Sequence, residues 1–418
     1  EKDTKIVSFD VGGAFAKVQG EFNMRILSNA DGQRGAWRKS FMPAVTQDAL
    51  AGYAPLVDSM AKVEVATVAG MDSWDVCKET RKWGMHFANA LLAGLELESE
   101  AEAKAILDDM AVFFAGLSTF DIDLPFTPLR KALDARERIM VLLRKSATKM
   151  LAGIRAEVPA APGAPKVRKN MMAYVIDHLR YDLGQEPTVD DLAQFALGLL
   201  QAGTDTSAAG FTGLFAILAQ RPDLITRLRE EQQEITSTYG EVLTKQALDA
   251  SKLADACVRE ALRITTPAQA TWRRALVEFE LGNYRIPANS WLCLNVPCAH
   301  ALDQEPSWPQ AAALAMSTGG AMPLPLCMDL DRLAASFDPS RWMNADPTQR
   351  PINLTFGHGP HVCVGAALYM LEAKAMLAQI ARSYDLALID AKQPIIWGEA
   401  PMMAPVQPVM VKLIKVET

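Results

Sequence analysis

One cysteine stands in a sequence context that could do chemistry. The stretch Phe356-Gly-His-Gly-Pro-His-Val-Cys363-Val-Gly365 carries three glycines and a proline, and an apolar helical pattern follows it. A thiolate at this joint would face a helix N-terminus and unpaired backbone N–H groups, which both favour the charged form. Glycines on either side would let the backbone come close to something flat and bulky. The stretch is therefore a candidate site for a metal-binding thiolate.

Two interpretations of Cys363 stay open on this stretch alone. A haem held by a cysteine needs an anionic, fixed and shielded sulfur, which this arrangement would supply. The alternative is a small buried hydrophobic side chain in a glycine-rich turn, which is the commoner fate of a free cysteine. His358 and His361 are rival ligands in the same loop, although His361 is better placed to donate to a haem propionate.

A carboxylate and two arginines form a second candidate group. Glu260-Ala-Leu-Arg263 puts opposite charges at i and i+3 on one helix face, a spacing that is also common in solvated surface pairs. The stretch Phe337-Asp-Pro-Ser-Arg341-Trp342 offers a second arginine for a fork-shaped Arg–Glu–Arg cluster. We expect such a cluster to fix the chain before the cysteine loop.

An acid and an alcohol lie side by side within the longest predicted helix, in Ala202-Gly203-Thr204-Asp205-Thr206-Ser207. Glycine in a helix interior costs about 1 kcal/mol relative to alanine, and hydroxyl side chains can open the backbone ladder. A groove with Asp205 and Thr206 would serve proton delivery to a bound dioxygen. The alternative for these six residues is a mildly kinked core helix.

The elements that must position these residues are mainly helical. Residues from about 35 to 270 follow a helical pattern, and the clearest helix is predicted over Val189–Gln220 with Thr188 as its N-cap. Alternating residues over 277–285, followed by 291–296, predict a hairpin, and a last helix is predicted over 365–381 before short strands. Residues 304–335 lack a sustained period and are predicted to be a surface insertion. The predicted fold class is mainly α with a minor β region.

Composition narrows the function classes. The chain has 418 residues and a net charge of −7, which argues against a broad electrostatic grip on nucleic acid or an anionic membrane. Its six cysteines form no CxxC pair, which indicates reduced thiols in a reducing compartment. No run of 18 apolar residues occurs, but the chain starts at Glu1 and not at a methionine. A leader or anchor can therefore have been removed, and cytoplasmic and membrane-anchored native forms both stay open.

Together, in this order, these signals resemble the cytochrome P450 superfamily over essentially the whole chain. The resemblance implies one catalytic domain over residues 1–418, with its N-terminal portion missing because residues 1–32 match poorly. It also implies haem b (iron protoporphyrin IX), with Cys363 as the axial iron ligand and Asp205 and Thr206 as the proton relay. The matching residues are Phe356, Gly357, Gly359, Cys363 and Gly365 for the haem-binding loop; Glu260, Arg263 and Arg341 for the structural triad; Ala202, Gly203, Asp205 and Thr206 for the oxygen-activating groove; and Arg34, Arg38, Arg273 and His361 for the propionates.

Three less specific stretches resemble the branch of retinoic acid hydroxylases, their cyanobacterial relatives and sterol-modifying enzymes. They are the stretches at 37–53, 123–133 and 279–287. This similarity implies an elongated apolar isoprenoid substrate, such as a retinoid, a carotenoid fragment or a sterol. The positions that match the family's pocket segments are Phe113, Phe114, Phe126, Ala202, Pro267, Ala268, Ala270 and Met402.

The function implied is a monomeric monooxygenase that hydroxylates a small apolar substrate with O2. No GxGxxG fingerprint or second redox domain is present, so we expect electrons from a separate reductase or ferredoxin-type protein. Lys39, Arg350 and Lys374 are candidates for a basic docking patch, with an ordinary solvated surface as the alternative. Two other functions stay open: a peroxide-using or rearranging haem-thiolate enzyme, and a haem-binding protein without turnover.

Overall fold

The computed structural model describes most of the chain. The described residues are 7–8, 13–28, 34–95, 99–156, 168–304, 333–343, 346, 348, 350–398 and 402–417. The predicted surface insertion at 304–335 lies almost entirely outside them. The prediction of a mainly α fold with a minor β region is confirmed.

Helices make up most of the described chain. Several are extended by single turns of other geometry: a 3₁₀ turn at Met42–Val45 and π turns at Ala88–Ala93 and His178–Asp182. The α-helices are α1 (Ala14–Ser28), α2 (Arg34–Phe41), α3 (Gln47–Ala69), α4 (Val76–Phe87), α5 (Glu100–Leu117), α6 (Pro128–Ala156), α7 (Met171–Asp177), α8 (Val189–Leu218), α9 (Pro222–Tyr239), α10 (Lys245–Ala250), α11 (Lys252–Ile264), α12 (Val296–Gln304), α13 (Leu333–Ser336), α14 (Ser340–Met343) and α15 (Ala366–Ser383).

Helix α8 is the clearest match between sequence pattern and structure. It was predicted over Val189–Gln220 and is confirmed over Val189–Leu218. Thr188 caps it: its hydroxyl oxygen accepts from the Asp191 N–H at 3.1 Å and donates to the Asp191 carboxylate at 2.6 Å. This reciprocal cap satisfies an N–H group that the first turn leaves without an intrahelical partner. The chain therefore enters α8 at a defined residue.

The strands are short and form several small sheets. Their bounds are β1 (Val7–Ser8), β2 (Trp74–Asp75), β3 (Ala270–Ala275), β4 (Phe279–Leu281), β5 (Tyr284–Ile286), β6 (Trp291–Asn295), β7 (Tyr384–Leu388), β8 (Trp397–Gly398), β9 (Ala404–Pro405) and β10 (Met410–Lys415). Strands β4 and β5 form a hairpin, with Phe279 opposite Ile286, so the turn falls inside the segment 277–285 that was predicted to be one strand. Strand β6 does not extend that hairpin and lies in the order β1-β3-β6 instead. Strand β10 lies between β2 and β7 in an antiparallel sheet.

The chain divides into two compact units, each built from several segments. Unit 1 comprises residues 1–53, 84–205 and 272–294, and unit 2 comprises residues 54–83, 206–271 and 295–418. In unit 1, α5 packs along α6, and both contact α1. In unit 2, α15 packs against α9 and α11. Whether the chain forms the single domain predicted from the sequence stays a prediction.

Apolar side chains fill the interior of both units. In unit 2 the rings of Trp83, Phe211 and Phe215 pack edge to face or stacked, with centroids 5.7–6.4 Å apart. Aromatic pairs at such distances add to the stabilisation from area burial alone. Among the described residues, no helix combines the length and the apolar character needed to span a bilayer.

Candidate active site

Cys363 lies in a turn that its own backbone closes. We call residues 356–365 the cysteine loop. The Cys363 N–H donates to the Phe356 carbonyl oxygen at 2.8 Å, and the Cys363 side chain is exposed. Helix α15 begins three residues later, with Gly365 as its N-cap. The thiol is therefore held beside the N-terminal end of a helix, as the sequence pattern predicted.

Two glycines make this turn possible. Gly357 has φ +73° and Gly359 has φ +67°, in the left-handed region that L side chains rarely adopt. The Gly357 N–H also donates to the Leu354 carbonyl oxygen at 2.8 Å, which opens the turn. A side chain at either glycine would strain the backbone that presents Cys363.

Aromatic rings on α15 and α8 pack next to the cysteine loop. The ring of Phe356 lies 6.1 Å from that of Tyr369 on α15, and Tyr369 lies 5.5 Å from Phe211 on α8. One turn further along α15, burial raises the pKa of the Glu372 carboxyl to about 8. Burial therefore favours the neutral form of this carboxyl.

Glu260 collects hydrogen bonds from four other residues. Arg263 donates to both carboxylate oxygens at 2.8 Å, and Arg341 Nη1 donates to Oε1 at 2.5 Å. The Trp342 indole N–H donates to Oε2 at 2.7 Å, and the Asp338 backbone N–H donates to Oε1 at 3.1 Å. The side chains of Glu260 and Arg263 are fully buried. The structure thus brings together the three residues of the predicted triad and adds two donors, forming what we call the Glu260 cluster.

Helix α11, which carries Glu260 and Arg263, is capped at its start by another helix. The Glu231 carboxylate on α9 accepts from the N–H groups of Leu253 at 2.5 Å and Ala254 at 3.1 Å. A carboxylate at this position satisfies unpaired donors and interacts favourably with the helix dipole. Burial is the larger influence on Glu231, and it raises the pKa of that carboxyl.

The end of α11 is bound to the chain that leads into the cysteine loop. We call residues 352–355 the approach segment. The Thr355 hydroxyl donates to the Leu262 carbonyl oxygen at 2.9 Å, and Asn353 Nδ2 donates to that of Arg259 at 3.3 Å. The Leu262 carbonyl lies in the last turn of α11, where intrahelical partners run out, and the Arg259 carbonyl lies about one turn earlier. Helix α11 thereby positions the entry to the cysteine loop.

His300 on α12 completes this attachment. Its Nδ1 lies 3.0 Å from the Arg263 carbonyl oxygen, and its Nε2 accepts from the Leu354 N–H at 2.8 Å. The side chain is almost fully buried, and burial lowers the pKa of the imidazole. One side chain thus joins the end of α11 to the approach segment.

The predicted relay residues lie next to each other on α8, and its backbone stays helical through them. Asp205 is buried, Thr206 is half-buried and Ala202 is exposed. A Cβ at Gly203 would lie 2.5 Å from Leu92 Cδ1, so this glycine permits close packing within unit 1. Asp205 belongs to unit 1 and Thr206 to unit 2.

The predicted propionate cations are divided between the units. Arg38 is half-buried on α2, and Arg273 is buried on β3, where it donates to the Trp272 carbonyl oxygen at 2.9 Å; both belong to unit 1. Arg34 begins α2, but its side chain lies outside the described residues. His361 is half-buried in the cysteine loop of unit 2.

The predicted pocket residues differ widely in exposure. Phe113 and Phe114 are buried on α5 and form an edge-to-face pair with centroids 5.8 Å apart, whereas Phe126 is 75% exposed. Of the others, Pro267 is buried, Ala270 and Met402 are half-buried, and Ala202 and Ala268 are exposed.

The prediction of Lys374 as part of a surface basic patch is wrong. Its side chain is buried on α15, where Nζ donates to the Leu248 carbonyl oxygen at 2.7 Å and lies 3.6 Å from the Asp255 carboxylate. The helical pattern of α15 gave no sign of this, because the covering residues come from α10 and α11. Lys39 and Arg350 are exposed.

No role for His300 or for Trp342 was predicted from the sequence, although Trp342 lies in the stretch that supplies Arg341. The partners of His300 lie 37 and 54 residues away, so no local pattern marks it. Trp342 directly follows Arg341, and an indole N–H that needs a partner when buried was the available signal. Both residues hold the frame around the cysteine loop.

Comparison with known proteins supplies the family. A family model described as Cytochrome P450 matches residues 2–311 and 333–413. The beta-amyrin 28-monooxygenase of Kalopanax septemlobus is 23% identical over 382 residues, which cover 89% of this chain and 71% of that protein. Cytochrome P450 26A1 of Danio rerio is 25% identical over 365 residues, which cover 85% of this chain and 67% of that protein.

A solved structure, described as retinoic acid bound cyanobacterial CYP120A1, has the same fold. It superposes with a TM-score of 0.80 over 99% of this chain and 86% of that chain, at 19% sequence identity. At that identity the similarity shows the fold alone.

Proposed function

The chain belongs to the cytochrome P450 family and is a monooxygenase of that family, and we propose that it hydroxylates an apolar isoprenoid lipid. Two similarities support this substrate class. One relative is named for beta-amyrin, a triterpene, and the similar solved structure is described as bound to retinoic acid. Both molecules are isoprenoids with long apolar frames.

The family implies a haem cofactor, and the cysteine loop fits one. The observation that carries the assignment is an exposed thiol beside the start of α15, on a turn with two positive-φ glycines. A thiolate is a suitable axial ligand for haem iron, and the helix end favours its ionised form. We assign Cys363 as that ligand and haem b as the cofactor. When bound, the haem supplies the oxygen-activating chemistry.

The other residues hold this thiolate and supply protons. The Phe356 carbonyl accepts from the Cys363 N–H and fixes the backbone that carries the sulfur, while α11 holds the approach segment through the Arg259 and Leu262 carbonyls. Asp205 and Thr206 combine a buried acid with a half-buried hydroxyl on adjacent residues, which suits the handing of a proton from the carboxyl to the hydroxyl. We assign Arg38, Arg273 and His361 as donors to the haem propionates.

Enzymes of this family use O2 and electrons from a redox partner, and they act on apolar substrates. For this chain we propose a separate electron-transfer protein of the reductase or ferredoxin type. We also propose that the chain works as a monomer, with residues 1–418 as one catalytic domain.

The test is a binding and turnover screen of the haem-loaded protein. Retinoic acid and beta-amyrin should perturb the haem spectrum, whereas a straight-chain fatty acid of similar length should not. With a surrogate redox partner and ¹⁸O2, one labelled oxygen atom should enter the isoprenoid product. Binding of the fatty acid alone would contradict the substrate class.

A variant pair tests the proton relay in the same assay. Thr206→Ala should uncouple reductant use from product formation and release hydrogen peroxide. If the hydroxyl is essential, the amount of product formed per reductant consumed should fall about 10²-fold. Thr226→Ala, which removes an exposed hydroxyl on α9, should leave coupling unchanged. Unchanged coupling in Thr206→Ala would favour the alternative of a peroxide-using or rearranging enzyme.

A further inference from the structure

The two nitrogens of His300 face backbone groups whose roles are fixed. The Leu354 N–H can only donate, so Nε2 must carry the lone pair; the Arg263 carbonyl can only accept, so Nδ1 must carry the proton. One neutral tautomer therefore satisfies both contacts. The imidazolium ion cannot, because it would point an Nε2–H at the Leu354 N–H.

The Leu354 N–H is one of two points where α12 holds the approach segment. Two residues earlier, the Ile352 N–H donates to the Asp303 carboxylate at 2.9 Å. His300 and Asp303 are at i and i+3 on α12, and the two N–H groups are at i and i+2 of the approach segment. Two side chains on α12 thus bind Ile352 and Leu354 of the approach segment, while Asn353 and Thr355 bind α11.

This grip reaches Cys363 through two more hydrogen bonds. The Leu354 carbonyl accepts from the Gly357 N–H, and the Phe356 carbonyl accepts from the Cys363 N–H, both at 2.8 Å. Displacement of Leu354 would therefore move the turn that presents the thiol. Nothing else on α12 donates to or accepts from Leu354 within the described residues.

We propose that neutral His300 is a positioning residue for Cys363, and that protonation of its ring breaks the bond to Leu354 and frees the Leu354 end of the approach segment from α12, while the bond between Ile352 and Asp303 stays. The consequence for the haem ligand rests on the function proposed above. The tie between α12 and the approach segment does not depend on that function, because it is formed by the protein alone.

The surroundings of His300 set the direction of this response. Burial lowers its pKa from the ordinary 6.5, and the Arg263 guanidinium lowers it further, whereas the bond to the Arg263 carbonyl and the Asp303 and Glu260 carboxylates raise it. Because the bound form resists the proton, the stabilisation from this tie is fully present above pH 6.5 and falls as the pH drops below it. The released form should gain about tenfold per pH unit in that range.

Hydrogen exchange of the haem-loaded protein tests the tie. Protection factors of peptides covering residues 352–357, corrected for intrinsic rates, should fall about tenfold between about pH 7.5 and about pH 5.5. His300→Gln should keep high protection at both pH values, because its amide oxygen can accept from Leu354 and does not titrate. His300→Phe should show low protection at both.

The exposed histidine of α4 provides the matched control. His86→Gln should follow the wild-type profile, since this exposed side chain lies on another helix and belongs to the other compact unit. If His300→Gln keeps the wild-type pH dependence, or if His300→Phe protects residues 352–357 as well as the wild type does, the proposal is overturned.

A spectrum of the same samples separates this proposal from the proposed function. On acidification, the red-shifted carbon monoxide band of a thiolate haem should decline in the wild type and persist in His300→Gln. A pH-dependent exchange profile without any thiolate band would keep the tie and reject the haem assignment. A thiolate band together with an exchange profile that does not change with pH would keep the haem assignment and reject the proposed role of His300.

Discussion

Glu260 is the shared acceptor of a buried polar cluster in unit 2. It is the one acid among two arginines, an indole and a backbone N–H, and its side chain is fully buried. A buried ion pair gains little over apolar packing, but removing one partner leaves the other charge without compensation. Its contribution should therefore appear as a large loss when Glu260 is neutralised.

We predict that Glu260→Gln lowers the free energy of unfolding by about 3–5 kcal/mol, because the buried Arg263 guanidinium loses its anion. Asp108→Asn removes a carboxylate from an exposed ion pair with Lys104 and should cost less than about 0.5 kcal/mol. Urea unfolding curves of both variants measure the difference. Equal losses of unfolding free energy in the two variants would contradict the prediction, because the Glu260 cluster would then contribute no more than an exposed ion pair.

At the residue scale, the sequence predicted which charged side chains pair with each other, but it did not predict contacts between residues that are distant in sequence. The i, i+3 spacing and the later arginine predicted which side chains share Glu260, since ion pairs on one helix face follow from local geometry. His300 and the burial of Lys374 could not be predicted, because residues distant in sequence cover both. Trp342 is an intermediate case, because the sequence placed it next to Arg341 but did not indicate which group its indole N–H binds.

At the scale of elements, two glycines set how closely α8 packs within unit 2. A Cβ at Gly213 would lie 1.9 Å from Thr265 Oγ1, directly after α11, and one at Gly210 would lie 2.4 Å from the Tyr369 hydroxyl on α15. Helices α11 and α15 flank the approach segment and the cysteine loop. The small residues of α8 thus set the spacing of the elements that carry the site.

Gly213→Ala should destabilise the protein by about 1–3 kcal/mol, because the added methyl overlaps Thr265. Gly153→Ala on α6 meets nothing within 4 Å and should stabilise by about 0.5–1 kcal/mol, the ordinary gain in helix propensity. Thermal unfolding of the two variants should give shifts of opposite sign. The double variant Gly213→Ala/Thr265→Ala should recover part of the loss, since the clashing oxygen is gone; an additive loss would contradict the contact.

The elements themselves were largely predictable from period and caps. Helix α8 has a continuous apolar period and a polar N-cap, and its predicted start at Val189 is correct. The grouping of β6 with β3 was not predicted, because strands of three to six residues carry too little pattern to specify a partner across a sheet. Local signals therefore predicted the helices better than the strand pairing.

At the scale of the whole molecule, the order of three local signals was more informative than any one of them. An acid–alcohol pair, a Glu–Arg pair and a cysteine loop occur at 205, 260 and 363, and each alone has a common structural explanation. The family match over residues 2–311 and 333–413 confirms the assignment that their order suggested. Fold and reaction class follow from the family, whereas the substrate depends on pocket residues that no local pattern specifies.

The central claim is that Cys363 ligates a haem iron as a thiolate. The most direct measurement is the absorption spectrum of the reduced, haem-loaded protein under carbon monoxide, with Cys293→Ala as the control because this cysteine is also exposed. We predict the strongly red-shifted band of a thiolate haem in the wild type and in Cys293→Ala, and its loss in Cys363→Ala. An unshifted band in the wild type, or a red-shifted band that survives in Cys363→Ala, would contradict the assignment.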